Sequence, residues 1–264
     1  MNQSSTSPHP DHLVAHTRVS EQMTWSGWAM TLYPTAGEAT GQFVSQRRPG
    51  STGIRGAAQD QERSDAEAAA RARRIVRRYC AANGLNRLGT LTYRGAGCHN
   101  PGQFRIDVAA FFRLLRSLIG GTPFPYLWVP ELHPGGHGLH GHFAVGRFIK
   151  RRTIEAAWPH GFVHIKLLGD LPVGSTARDE ARRAAGYLSK YVAKSFDEPV
   201  RDEGGHRYDV AEGFRPASEN FTAASAEELR ALANERMAAL PRREWSSRES
   251  PEWRGPHTVW LQWP

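Results

Sequence analysis

From residue 60 to residue 196 the polar and apolar positions switch repeatedly between a helical and a two-residue period. Residues 60–83 are helical in pattern, with acidic residues first (Asp60, Glu62, Asp65, Glu67) and arginines last (Arg71, Arg73, Arg74, Arg77, Arg78). That order suits the positive and negative ends of a helix dipole, and Asn83-Gly84 is the expected stop. Residues 88–93 read as a strand. Residues 106–119 read as an amphipathic helix whose apolar contacts are Phe111, Phe112, Leu115 and Leu118. Two strands follow, 126–132 and 140–148, joined by a Pro-Gly-Gly turn segment. A short helix over 153–158 leads to a strand over 161–168, then to a helix over 177–196 with Ser175 and Thr176 as caps.

The order β-α-β-β-α-β predicts an α+β fold of the split βαβ (ferredoxin-like) kind. Its expected form is an antiparallel sheet with helices on one face, plus N- and C-terminal extensions. Residues 1–59 are rich in Ser, Thr, Gly, Pro and Gln without a sustained period. They are expected to be a largely flexible extension, apart from one short strand or docking segment around Trp25, Trp28, Met30, Leu32 and Tyr33. The partition is then a basic helix over 60–84, a core over 85–198, and a C-terminal extension over 199–264. That last extension carries one helix (226–240) and a tail with Trp245, Trp253, Trp260 and Trp263.

Charge narrows the partner. The net charge is +8, which points first to nucleic acid and second to an anionic membrane surface. The cations are 30 Arg against 4 Lys, and arginine forks onto phosphate and stacks on bases. With only Cys80 and Cys98, and no CxxC spacing, neither a zinc knuckle nor a disulfide framework is indicated. No apolar run is long enough for a bilayer span and no secretory core opens the chain, so a cytoplasmic protein with no membrane partner is expected. The absence of a GxxxxGK[ST] loop removes support for a nucleotide-driven motor.

Two stretches carry the candidate chemistry. Along a strand, residues two apart share a face, so His140 and His142 project together, and Glu131 at the end of the preceding strand is placed to oppose them. One carboxylate and two imidazoles suit a divalent metal ion, Mg²⁺ or Mn²⁺, while zinc also satisfies the ligand types. His133 and His137, in or beside the turn, compete for the role; His160 and His164 read as structural. A lone His-x-His pair in a chain with 12 His is also what two ordinary strand histidines look like. The second stretch is helical. At 100° per residue, Arg183, Tyr187, Lys190, Tyr191 and Lys194 fall on one stripe. Ala181, Ala185, Leu188, Val192 and Phe196 form the opposite, core-facing one. Cations beside a phenol favour its ionised form and grip phosphate, which makes tyrosine a competent nucleophile.

Together these residues resemble the HUH endonucleases, the rolling-circle replication initiators of plasmids and single-stranded DNA phages. His140-Gly141-His142 resembles the His-hydrophobic-His motif, and Glu131 sits about where that family often supplies a third ligand. The segment from Tyr187 through Lys190 and Tyr191 to Lys194 is similar to the two-tyrosine motif of phage gene A type initiators. Leu88-Gly89-Thr90-Leu91-Thr92-Tyr93 is similar to the first core strand. Gly141 stands where the family usually has a bulky apolar residue, which predicts thinner packing behind the strand.

The resemblance implies a site-specific nick in single-stranded or hairpin origin DNA. Tyr187 or Tyr191 attacks the scissile phosphate, and a 5′-phosphotyrosine and a free 3′-hydroxyl result. Glu131, His140 and His142 hold the metal, Lys190 assists catalysis, and Arg183 and Lys194 bind DNA. With no helicase motif in these residues, a host helicase acting in trans is the expected partner. Other readings stay open at this level: a relaxase or single-strand transposase of the same chemistry, a non-catalytic nucleic-acid binder on the same fold, and a hydrolytic metallophosphoesterase. The Arg-rich helix over 60–83 serves equally well as a duplex contact or as a solvated cover for the core.

Overall fold

The computed structural model describes residues 26–45, 61–166, 168, 173–194 and 206–264. Among them the chain forms five α-helices and two five-stranded antiparallel sheets, so the α+β class holds. In chain order the elements begin with β1 (Gly27–Tyr33), β2 (Glu38–Val44), α1 (Gln61–Asn83) and β3 (Arg87–Tyr93). Next come α2 (Pro101–Leu118), β4 (Tyr126–Leu132), β5 (Leu139–Val145), α3 (Arg151–Ala157) and β6 (Gly161–Lys166). The remainder is α4 (Ala177–Lys194), β7 (Asp209–Val210), β8 (Glu219–Ala223), α5 (Ala226–Met237), β9 (Arg243–Ser246) and β10 (Thr258–Gln262). No described helix is long and apolar enough to cross a membrane.

One sheet has the order β6-β3-β5-β4-β7, and its first four strands realise the split βαβ arrangement with the hairpin strands side by side. The expectation of helices on one face is corrected, because both faces are covered. Leu91, Trp128, Phe143 and Val145 pack under α2 and α3. Leu88, Leu127, Val129 and Ala144 pack under α1 and α4. The cause lies in the strands: Leu127-Trp128-Val129 and Phe143-Ala144-Val145 are unbroken apolar runs, and such runs need cover on both sides. Pro130 falls beyond the Leu127–Trp128 ladder to β7, where β4 is an edge and a missing N–H is tolerated.

Local signals account for the helix ends. Gly84, at φ +60°, follows α1 in the left-handed conformation, and Leu85 N–H closes back onto the Cys80 carbonyl at 3.0 Å. Thr176 caps α4 reciprocally: its hydroxyl accepts from Asp179 N–H at 3.2 Å, while Asp179 accepts from Thr176 N–H at 3.1 Å. α2 starts five residues earlier than its periodicity predicts. Asn100 caps it through Gln103 N–H at 2.9 Å, and Pro101 occupies the first turn. Leu118, expected in the core, is exposed at the far end, as is Phe148 just past β5.

The second sheet, β8-β1-β2-β10-β9, joins the two ends of the chain. Residues 27–44 pair directly with the C-terminal strands, so these flanks are one packed layer and not separate extensions. Its core is Met30, Leu32, Ala39, Leu261 and Trp263 under Leu229 and Ala233 of α5. Residues 1–25, including Trp25, and Phe196 lie outside the described residues. α1 ties the two sheets together. Arg77 and Arg78 grip buried Glu38 of β2 at 2.7 and 2.8 Å, and Arg78 also donates to Thr40 Oγ1 at 2.8 Å. The Arg-rich helix is thus a structural cover on its β2-facing side.

Candidate active site

The β4–β5 hairpin sets the positions. Its register pairs Glu131 with His140 and Val129 with His142, and His142 also lies opposite Thr90 on β3. With alternation along each strand, Glu131, His140, His142 and Thr90 share the sheet face under α1 and α4. The turn is pinned from outside: Leu139 N–H donates to the Cys98 carbonyl at 2.6 Å. Gly138, at φ +78°, is required there, since a Cβ would lie 2.3 Å from that carbonyl oxygen.

Glu131 is clamped by two partners. Its Oε2 accepts from His142 Nε2 at 2.6 Å and its Oε1 accepts from Lys194 Nζ at 2.7 Å. With Nε2 donating, His142 Nδ1 is left to accept from the Thr90 hydroxyl at 3.1 Å. Burial alone would raise the Glu131 pKa, but the bonds from Lys194 and His142 outweigh it and hold the carboxylate ionised. Burial lowers His142, opposed in part by Glu131. His140 is pushed down to about 4 by burial and by neighbouring His133 and His142, so it is neutral at pH 7. Its Nε2 is buried with no hydrogen-bond partner among the described residues. A neutral imidazole with an unused ring nitrogen is what a metal ligand has to be.

The donor types, charge states and strand positions therefore fit a divalent ion. The three side chains are not gathered into one shell: among the described residues no group of three or more His, Cys, Asp or Glu is so arranged. Glu131 spends its oxygens on Lys194 and His142 instead. His133 stands with its ring 4.6 Å from that of His140, and His137 Nε2 lies 3.2 Å from the Tyr93 carbonyl oxygen. His160 packs on Tyr93 and Trp158, in keeping with a structural role.

α4 brings both tyrosines onto this cluster. One turn apart, they join hydroxyl to hydroxyl at 2.6 Å. The Tyr191 ring stacks on His142 with centroids 3.7 Å apart and planes at 12°. Tyr187 approaches His142 edge-on at 6.3 Å. Both are half-buried against the α1/α4 core, which corrects the expectation that their stripe points away from the apolar seam. A second correction concerns ionisation. Burial, the Tyr187 hydrogen bond and the charge of Glu131 push the Tyr191 phenol up, although Lys194 lies 5.7 Å from its ring centre.

The cations are redistributed relative to the sequence reading. Lys190 is exposed and takes no part in the cluster, whereas Lys194, expected on DNA, is bonded to Glu131. Lys166 of β6, which sequence reasoning missed, places its ammonium 4.7 Å from the Tyr187 ring centre. One signal was available: with 4 Lys beside 30 Arg, each retained lysine is informative. Arg183 is exposed one turn before Tyr187 and lines a separate cleft. Behind β5, Gly141 does not leave thin packing, because Phe104 of α2 fills the space, its Cζ 3.1 Å from where a Cβ would stand.

Residues 86–196, from the start of β3 to just past α4, match the family model of the replication-associated protein ORF2. The match spans under half of the chain, contains every residue of the cluster described above, and is consistent with a replication initiator. No curated protein and no solved structure matches the chain.

Proposed function

We propose that the protein initiates rolling-circle replication by nicking single-stranded or hairpin origin DNA, with Tyr187 and Tyr191 as nucleophiles. The observation that carries this reading is the tyrosine pair, hydroxyls 2.6 Å apart, stacked on the histidine that is bonded to Glu131. A non-catalytic binder has no use for a nucleophile pair seated on a carboxylate–imidazole cluster.

In the proposed step the phenol oxygen of one tyrosine bonds to the scissile phosphorus as the bond from phosphorus to the 3′-oxygen breaks. The tyrosine loses its proton, the departing 3′-oxygen gains one, and the chain stays linked to the DNA 5′ end. A divalent ion, Mg²⁺ or Mn²⁺, held by Glu131, His140 and His142, would withdraw charge from a non-bridging phosphate oxygen. Tyr191 donates its hydroxyl proton toward Tyr187, so one phenol stabilises charge on the other as it attacks. Lys166 offsets charge developing on Tyr187, and Lys194 does so near Tyr191. The second tyrosine is placed to receive the strand in a later transfer.

The test is a denaturing gel with end-labelled oligonucleotides from the replicon that encodes the protein, with Mn²⁺ and with EDTA. A metal-dependent, protease-sensitive band carrying the DNA 5′ end is expected. Cleavage with no adduct replaces this reading with a hydrolase, and binding without cleavage replaces it with a non-catalytic binder.

A further inference from the structure

Beside α4, on the side toward the second sheet, lies an open cleft of about 430 Å³ that plays no part in the tyrosine cluster. Arg77, Arg182, Arg183, Arg242 and Arg243 line it with Trp260, and Asp179 is the one carboxylate among the described lining residues. We propose that this cleft is a second DNA site, which holds the phosphate backbone flanking the nick without reading its sequence. The proposal rests on the nicking reading only for where the strand comes from.

Three observations support it. Placement comes first: Arg183 lies four residues before Tyr187 on the same stripe of α4, about 6 Å along the axis. A strand leaving the tyrosines toward the start of α4 meets it directly. The second is rigidity. Arg182 donates to the carbonyls of Ala36, Gly37 and Trp263 at 3.1, 3.1 and 2.7 Å, and Arg77 is held by Glu38, so the floor is set before ligand arrives. The third is an excess of positive charge. Burial and the adjacent Arg178 lower the pKa of Arg182, as crowding of guanidinium groups does. Asp179 is shared between Arg182 at 3.6 Å and Arg242 at 3.5 Å.

The ligand chemistry follows from the lining. Guanidinium forks match phosphate oxygens. Among the described lining residues the one aromatic is Trp260, and the Arg77 guanidinium stands over its ring at 5.5 Å, so guanidinium groups outnumber ring faces in what the cleft offers. A volume of 430 Å³ exceeds that of about ten waters at roughly 30 Å³ each, more than one phosphate fills. Arg242 and Arg243 are exposed at its rim, just before and at the start of β9, which comes from the C-terminal flank. The second sheet thereby acquires a role in binding.

The experiment measures anisotropy of a labelled oligothymidylate of about 30 nucleotides across a salt series in EDTA, so that no cleavage is needed. The full chain is compared with Arg242→Gln/Arg243→Gln. The control is Arg151→Gln/Arg152→Gln, which removes equal charge from α3 on the opposite face of the core sheet. Loss of two phosphate contacts lowers the slope of log affinity against log salt by about 1.4. The α3 pair is expected to leave that slope unchanged. Arg183→Gln, a single exposed change on α4, is expected to lower it by about 0.7. Equal effects from both pairs, or no effect from the cleft pair, overturn the proposal. The altered slope in a protein that never forms an adduct sinks nicking and keeps the cleft; adduct formation with an unaltered slope does the reverse.

Discussion

Placing a bulky residue between His140 and His142 is expected to harm this protein. In Gly141→Leu the new Cβ arrives 3.1 Å from Phe104 Cζ and 3.8 Å from Leu91, with three further carbons aimed at the same ring. Phe104 is almost fully buried and cannot swing into solvent. Overpacking of this kind costs about 1–3 kcal/mol. Removing a glycine from a strand returns about 0.5–1 kcal/mol. A net loss of about 0–2.5 kcal/mol is expected. Phe104→Ala alone is expected to cost about 3–5 kcal/mol through the cavity it leaves. In the double variant the leucine occupies part of that cavity, so the two changes together should cost about 1–2 kcal/mol less than their sum. Urea unfolding followed by tryptophan fluorescence measures all four corners of the cycle. Adduct yield reports in parallel whether β5, and with it His140 and His142, has shifted. Additivity within about 0.5 kcal/mol, or a Gly141→Leu protein more stable than the parent, refutes the claim that Phe104 replaces the missing side chain.

Glu38→Gln keeps the shape of the buried tether but leaves Arg77 and Arg78 without their anion, and a loss of about 2–4 kcal/mol is expected after allowing for the partial exposure of Arg77. Burial alone would raise the Glu38 pKa, but the bonds and charges of the two arginines hold it below the ordinary glutamate value. Its stabilisation is therefore complete above about pH 4.3 and fades as pH falls toward the lower folded-state value. Urea midpoints for parent and variant should converge between pH 7 and pH 3; a constant gap contradicts the electrostatic account. Lys194→Ala is expected to slow adduct formation by about 10–100-fold, the usual cost of losing a partner that orients a metal ligand. Lys190→Ala should change it far less, and equal losses would put Lys190 back in the site. Either single Tyr→Phe variant should still form an adduct on the remaining tyrosine, whereas Tyr187→Phe with Tyr191→Phe should form none; mass spectrometry of the DNA-linked peptide decides. His140→Ala with His142→Ala is expected to abolish Mn²⁺-dependent cleavage, and full activity in that variant removes them as ligands.

Much of the core was legible because its signals are short in range. β4 runs over the predicted residues, α1 stops at Gly84, and α4 begins after Thr176 as its cap requires. The start of α2 was equally readable, since Asn100-Pro101 is a cap followed by a first-turn proline and the buried stripe opens at Phe104, whereas Ile106, taken as the first helical residue, is exposed. The cover on both sheet faces was present in the unbroken Leu127-Trp128-Val129 run. The second sheet was not readable in this way. Its strands are short, and apart from the β1–β2 hairpin across Pro34–Gly37 the pairings join opposite ends of the chain with no local mark of which pairs with which.

By itself the sequence determined the order of the core elements, the sharing of one strand face by His140 and His142, and the one-turn spacing of Tyr187 and Tyr191. These follow from periods of two and 3.6 residues, which any chain with that local structure obeys. Tertiary structure alone decided which cation serves which acid, because Lys194 reaches Glu131 across 63 residues and Lys166 comes from another strand altogether. It also decided that Tyr191 lies on His142 and that burial raises its phenol. Helical phase orders residues around an axis, but the docking of α4 on the sheet determines which part of that circle meets solvent and which meets a neighbour.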